Sequence, residues 1–328
     1  MHEIARLAGV SQSTVSRVLN GTTPVGSEKY ATVMEVVERL KFSPNAAAQG
    51  LVSGKTSTIG ILTRHLGSPY FGECLRGMTV GMQGSSYYPM IALGGNQVDD
   101  HNAVELLLAR GVDALILHLA KHLDGDFVRE IAQHRPVIVI GQQIRGFEEH
   151  CLAVNDRQGG YLATMHLIDR GHVAIAHISG PEGREDAADR QAGYWQALLD
   201  HALEADPELT VEGDFLESAG FTAMDRLLAK REQHPFSAVF AASDQIALGA
   251  RLLLYYHGIL VPQDISLVGF DDLPSAQYMI PPLTTIRQPA YDMGHRASRA
   301  AQAALAGEKV NLTEVPLELI ERQSVADR

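Results

Sequence analysis

Cysteine is scarce in this chain: 328 residues hold two, Cys74 and Cys151. Two thiols cannot build a disulfide framework, and they lack any metal-ligand spacing, so a reducing cytoplasm is expected and no cofactor. No run of about 18 apolar residues occurs, which leaves no candidate for a membrane-crossing helix. The N-terminus has no charged flank followed by an apolar core, so no secretion signal is read there. A Gly-x-Ser-x-Gly elbow, a P-loop and a strand-linked Gly-x-Gly-x-x-Gly are also missing. His118 and His122 in "HLAKH" have the i, i+4 spacing that binds zinc on a helix, but they follow a strand and lack a third ligand. Neither a metal site nor an enzyme is expected.

What is present describes an ordinary soluble globular protein, 45% hydrophobic and 20% charged. Its length exceeds what one core usually holds, so two or three domains are expected. Charge is uneven. Residues 1–55 hold six Lys/Arg against four Glu, a net +2, which leaves −14 for the rest of a chain at −12. An acidic body repels polyanions and membranes alike, so any nucleic-acid contact belongs to the N-terminal part.

Three short helices can be read there from apolar spacing. Ile4, Leu7 and Ala8 recur at i, i+3, i+4, as do Val15, Val18 and Leu19, and Val33, Val36, Val37 and Leu40 extend the pattern. Gly9-Val10-Ser11 separates the first two, a glycine turn followed by an N-cap serine. Two short helices on such a turn form the helix-turn-helix pattern. Opposite the apolar face of the second helix lie Ser13, Ser16 and Arg17, with Gln12 at its N-terminal end and Thr14 beside it. These side chains can read base edges in a major groove. The alternative is a solvated face in a small bundle. In "LKFSPNAAAQGLVSGKT", Pro44 ends the third helix and Asn45 can cap another one too short to be stable alone. Such a segment suits a hinge that forms only on DNA.

From Ser57 onward the rhythm changes to strand then helix. Candidate strands are "TIGILT", "PMIALG", "DALILHL", "PVIVIGQ", "AIAHISG", "SAVFAAS" and "SLVGFD". Between them lie helical patterns such as "DHNAVELLLARG", "GGYLATMHLIDRG" and "DQIALGARLLLYYHG". Short apolar runs alternating with helices predict buried parallel sheets, enough here for two doubly wound subdomains. Ligands bind at the carboxyl ends of strands in such folds. That rule selects Arg64, Gly141, Asn155, Ser243, Asp244 and Asp271.

Read together, "IARLAGVSQSTVSRVLNG", "FSPNAAAQGL", "SGKTSTIGIL", "DRGH", "SDQIALGA", "DISLVGFDD", "PPLTTIRQP" and "LIERQS" resemble the lactose-repressor/galactose-repressor (LacI/GalR) family of bacterial transcription regulators. The motifs span essentially the whole chain in the expected order. The resemblance implies an all-α N-terminal helix-turn-helix domain plus an α/β core of two doubly wound parallel-sheet subdomains, similar to periplasmic binding proteins. Residues 1–44 would bind DNA and 45–56 would form hinge helix and linker. Residues 57–328 would bind effector and dimerise, with an N-subdomain at about 57–155 and 288–313 and a C-subdomain at about 156–287 and 314–328.

By the same resemblance Gln12 and Ser13 match base-reading positions, and Ser16 and Arg17 match further base and phosphate contacts. Leu51 matches a hinge leucine wedged into the minor groove, with Asn45 and Gln49 along the backbone. The chain departs from the pattern in three places. Its start falls inside the motif, so the cap of the first helix is missing. Gly50 costs about 1 kcal/mol of helix propensity relative to Ala. Gly26, Lys29 and Tyr30 stand where Ser and Thr-Arg are usual, leaving Lys29 and Tyr30 as the candidate phosphate donors.

Phe71, Arg190, Phe215, Ser243, Asp271 and Gln288 match effector-contacting places, with Arg64 and Gly141 beside them. Arg190 offers a fork of donors, Asp271 accepts from hydroxyls, and an aromatic ring can lie against a sugar or base face. Each has a bland alternative: Phe71 and Phe215 as core, Arg190 paired with Asp186 or Asp189. The expected function is a ligand-responsive repressor acting as a homodimer on a pseudo-palindromic double-stranded DNA operator, cytoplasmic and nucleoid-associated when bound. No heptads follow "LIERQSVADR", which favours a dimer over a tetramer. A sugar is the expected effector, a glucoside or glucose oligomer by the similarity of "TTIRQPAYDMG" to such regulators. A purine co-repressor within the family and a solute-binding protein are the rivals.

Overall fold

In this computed structural model the described residues are 1–20, 24–42, 55–64, 66–95, 99–118 and 123–328. They form two compact units, 1–58 and 59–328.

The first unit is helical. Helix α1 (His2–Ala8), α2 (Gln12–Asn20) and α3 (Ser27–Arg39) bury Ile4, Val15, Val18, Val33 and Val36 against one another. The apolar spacing selected all five, but Leu7 and Leu40, which it also selected, are exposed at the ends of α1 and α3. Between α1 and α2, Gly9 adopts the left-handed conformation (φ 63°), and Val10 N–H bonds back to Ala5 C=O at 3.0 Å. A glycine reaches that conformation without a Cβ penalty, so the first helix closes within one residue.

The core unit holds two sheets. The first has strand order β2-β1-β3-β4-β5, from β1 (Thr58–Thr63), β2 (Tyr88–Leu93), β3 (Ala114–His118), β4 (Val137–Ile140) and β5 (Cys151–Leu152). Helices α4 (Pro69–Met82), α5 (Asp100–Ala109) and α6 (Gly125–Ala132) connect its strands. The second runs β11-β10-β9-β8-β6-β7. Its strands are β6 (Ile175–Ser179), β7 (Thr210–Glu212), β8 (Ala238–Ala241), β9 (Ser266–Asp271), β10 (Thr284–Arg287) and β11 (Glu318–Ile320). It carries α7 (Asp156–Asp169), α8 (Glu185–Asp200), α9 (Glu217–Ala229) and α10 (Asp244–Tyr256). Its pairings are parallel except that of β10 with β11, so the all-parallel expectation needs one antiparallel edge strand added. The seven expected strands form. The sequence reading of strands passed over β5, β7, β10 and β11, of which β5, β7 and β11 are only two or three residues long and too short to carry a period.

Helix α11 (Ala290–Leu305) returns the chain to the first sheet, where Met293 and Ala297 share a core with Ile59 and Ile116. The chain thus passes between the sheets three times, near 153–156, 287–289 and 315–317. Val315 N–H donates to Ala153 O (3.0 Å), tying the first and third crossings together. Paired helices touch backbone to backbone where glycines face each other. A Cβ on Gly249 of α10 would lie 1.8 Å from Glu217 O, and one on Gly220 of α9 would lie 2.1 Å from Ile246 O. A cavity of about 430 Å³ opens beside the second and third crossings, lined by Arg287, Pro289, Arg296 and Leu317 among others.

Several motifs serve this architecture. In "DRGH", Gly171 closes α7 in the left-handed region (φ 85°) and His172 bridges Ser237 Oγ (2.8 Å) and Ala326 O (3.1 Å). In "LIERQS", Ser324 Oγ donates to Leu267 O and accepts from Thr284 N–H, fastening the segment after β11 to β9 and β10.

Candidate DNA-reading face and effector site

On α2 the buried Val15 and Val18 fix which way the helix faces. Gln12, Ser13 and Arg17 are then exposed, while Thr14 and Ser16 are half-buried. Ser11 caps the helix: its Oγ accepts from Thr14 N–H at 3.2 Å. That oxygen also lies 2.8 Å from Ser13 Oγ and 2.9 Å from Thr14 Oγ1, a hydroxyl cluster at the positive end of the helix. Lys29 and Tyr30 are exposed on the first turn of α3. The hinge positions Asn45, Gln49 and Leu51, and His122 of the histidine pair, lie outside the described residues.

The second site grows from the carboxyl ends of the strands. Arg190, on α8, is almost wholly buried with its guanidinium 3.7 Å from the Phe270 ring. Its Nε donates to Asp156 Oδ1 (2.8 Å), one Nη donates to Ala242 O (2.6 Å), and the same Nη is 3.9 Å from Asp271 Oδ1. The pairing is therefore with Asp156, at the start of α7, and the expected bland partners Asp186 and Asp189 do not take it. Asp186 instead receives the fork of Arg184.

The two aspartates at the end of β9 divide their tasks. Asp272 accepts from Arg287 (2.7 Å) and Arg322 (2.5 Å), holding β10 and the C-terminal segment. Asp271 has a positive φ of 114°, and its Oδ1 accepts from Gln288 Nε2 at 2.7 Å. Gln288 lies on the second crossing, so this bond joins the strand end to the hinge between the sheets. Burial pushes the Asp271 carboxyl up to about 7. Arg190 and the Gln288 bond pull it down, and Asp156 and Asp186 push it further up. Burial, and then Asp271, raise Asp244 well above its ordinary value, and its carboxylate accepts from Leu273 N–H and Thr285 Oγ1. Burial also holds Asp156 above its ordinary range despite Arg190.

Phe215 sits in the left-handed region (φ 68°) with its ring on Gly180, where a Cβ would lie 2.2 Å from Cζ. Arg184 and Arg190 approach the ring at 5.2 and 5.5 Å. Ser243 Oγ accepts from Ile246 N–H (3.1 Å) and caps α10, so its hydroxyl is engaged in the helix. Asn155 caps α7 likewise.

The first sheet supplies the facing residues. Phe71 is 1% exposed and packs in that sheet's core, 5.0 Å from the His118 ring. Beside it the half-buried Tyr70 donates its hydroxyl to Met293 Sδ at 3.7 Å, and burial, then Cys74 and Asp271, raise its pKa well above the ordinary value. Arg64 lies 3.6 Å from the buried Asp100. Gly141 ends β4 at φ 90°, its N–H bonded to Leu152 O.

Of the expected residues, the structure joins Arg190, Asp271 and Gln288 directly and sets Phe215 against Arg190. Sequence reasoning missed Asp156, Arg184, Tyr70 and the acceptor role of Asp186. Asp156 and Tyr70 were within reach of the strand-end rule, since each opens the helix that follows a strand. Their partners are distant in sequence and no spacing pairs them.

The description "Bacterial regulatory proteins, lacI family" matches residues 1–45, and a periplasmic binding protein-like domain matches 164–325. The HTH-type transcriptional regulator GalR of Escherichia coli (strain K12) is 35% identical over 305 residues, covering 93% of this chain and 88% of that protein. The lac repressor dimer bound to operator and the anti-inducer ONPF superposes with a TM-score of 0.86 at 27% identity, over 98% of both chains. A complex of the transcriptional regulator CelR with cellobiose gives a TM-score of 0.72 at 30% identity, again over 98% of both.

Proposed function

The chain belongs to the lacI family of bacterial regulatory proteins, and on that premise we propose that residues 1–44 read a pseudo-palindromic operator while residues 57–328 bind a sugar that releases it. In this reading Gln12, Ser13, Thr14, Ser16 and Arg17 contact bases and adjacent phosphates, and Lys29 holds the backbone. Asn45, Gln49 and Leu51 form the hinge at the operator centre. The observation that carries the DNA half is the exposure of Gln12, Ser13 and Arg17 on a helix whose other face is fixed by Val15 and Val18.

The effector half is supported by the Arg190–Asp271–Gln288 linkage, because it places a donor fork, an acceptor and a hinge residue in contact. A polyol bonded to Asp271 and Arg190 would change the hold of Gln288 on the strand end. That would bias the two subdomains between arrangements and couple effector to operator affinity, reciprocally. Phe215 and Arg64 would line the same site, and Gly141 and Ser243 would shape its walls. CelR, whose complex holds cellobiose, makes a glucoside the first candidate.

The protein acts as a homodimer. Leu248, Leu252, Tyr255 and Tyr256 form an exposed apolar stripe on α10, at the spacing of one helix face, and Tyr278 and Ile280 are exposed as well. The reading places the protein in the cytoplasm, without catalytic activity. Fluorescence anisotropy tests it, using duplexes selected from random DNA and a panel of sugars. Specific binding relieved by one sugar is expected. Absence of sequence-specific binding at low salt would overturn the role of α2, and tightening by a purine would make the protein a co-repressed regulator.

A further inference from the structure

At the carboxyl end of the first sheet one ion pair lacks the hydrogen bonds that its counterparts in the core have. Arg64 directly follows β1, and Asp100 opens α5. Arg64 Nε lies 3.6 Å from Asp100 Oδ1, too far for a hydrogen bond. That nitrogen and both Asp100 carboxylate oxygens are buried without a hydrogen-bond partner. Elsewhere the arginines near strand ends are bonded: Arg190 Nε donates to Asp156 at 2.8 Å, and Arg184 Nε donates to Asp186 at 2.9 Å.

The surroundings hold Asp100 where it is. A Cβ on Gly94 would lie 2.1 Å from Asp100 Oδ1, so the carboxylate rests against the Gly94 backbone. Gly94 N–H bonds to Thr63 O at 2.9 Å, which fixes that backbone to the end of β1. The carboxylate also sits in the first turn of α5, where the helix dipole favours a negative charge. The Asp100 side chain is 1% exposed and that of Arg64 16%. Charge keeps the guanidinium beside Asp100, since a buried carboxylate without its cation is costly. No hydrogen bond ties Nε to it. Arg64 is thus held in place with donors to spare, whereas Arg190 spends its donors on Asp156 and Ala242 O.

We infer that Asp100 is a positioning residue of the effector site: its charge holds Arg64 at the end of β1, and Arg64 donates to an oxygen of the effector, a hydroxyl or ring oxygen where that effector is a sugar. Asp100 is too buried to touch the ligand itself. This rests on reading Arg64 as part of the effector site.

A double-mutant cycle read by isothermal titration of the full chain tests it. The probes are cellobiose, galactose, glucose and ribose, with guanine as a non-sugar, and each variant is first checked by thermal melting. Arg64→Met is expected to weaken binding about 30-fold, through loss of a charge-assisted hydrogen bond. Asp100→Asn, which keeps the shape and removes the charge, is expected to weaken it about tenfold. The double variant is expected to match Arg64→Met instead of reaching the product of about 300-fold. A product would show that Asp100 acts independently of Arg64 and would overturn the inference, as would parent affinity in folded Asp100→Asn. Unaltered affinity in folded Arg64→Met would remove Arg64 from the site and overturn the inference with it, leaving the Arg190–Asp271 reading intact. Should Arg64→Met not melt cooperatively, Arg64→Lys closes the cycle, because it keeps the charge beside Asp100 and loses the fork. Binding of guanine and of no sugar would overturn the sugar reading, and the cycle run with guanine would then support or refute the pair by the same rule. Binding of no probe would overturn both.

Discussion

On α2 of the N-terminal unit, Gln12, Ser13 and Arg17 stand exposed, whereas in the core Arg190, Asp156 and Asp271 are nearly buried and already joined to one another. On the proposed reading the difference follows from the partner each site would meet. A base edge is read by side chains that reach into a groove of fixed shape, so they gain by being free and by sitting on a rigid helix. A small ligand brings few groups of its own, and recognising it takes donors and acceptors held in place beforehand. Holding them buried demands charge balance, which the aspartates provide. Substitutions should therefore split the two regions: core changes cost folding as well as response, and α2 changes cost DNA affinity alone.

Arg190→Ala should have the largest effect, because it leaves Asp156 and Asp271 buried without their cation. A loss of about 3–5 kcal/mol of stability is expected in urea unfolding, together with loss of effector response. A stable, merely unresponsive variant would show that the cluster is not preorganised in the way described. Arg17→Ala should weaken operator binding by about 1–3 kcal/mol and leave the melting temperature unchanged. A footprint titration with unaltered affinity would remove Arg17 from the groove. Ser11→Ala sits between the two classes: losing the cap should cost about 1 kcal/mol of helix stability, read as a lower melting temperature of the N-terminal unit.

The smallest effect is one of pH. With its carboxyl raised to about 7, folded Asp271 holds a proton that the unfolded chain has released above its ordinary value near 4. Its contribution favours folding at low pH and is lost as pH rises from about 4 to about 7. His177 works in the opposite sense. Burial depresses it to about 4, so its neutral ring favours folding above about 6.5 and that contribution is lost as pH falls. The Asp271→Asn variant isolates the first term. Relative to the parent, its stability should rise with pH across that window, by differential denaturation at fixed salt, and a flat difference would show that Asp271 is ionised throughout.

How far the site could be read in advance depended on distance along the chain. Arg190, Asp271 and Gln288 were legible because motif and strand-end position marked them singly. Their bonds were not, since Asp156 lies 34 residues from Arg190 and Gln288 lies 17 from Asp271. Phe71 was legible only as an aromatic beside a strand end, and its place among Ile59, Met78 and Met293 came from packing.

By itself the sequence determined the local elements and their order. Glycine turns, serine and asparagine caps and apolar periods act within a few residues, and they specified a small helical reader followed by alternating strands and helices. Tertiary structure decided which carboxylate meets which arginine, that two adjacent aspartates take separate roles, and that Gln288 reaches back to Asp271 across a crossing. Those outcomes depend on long-range burial, which raises the cost of an unpaired charge until only particular partners can satisfy it.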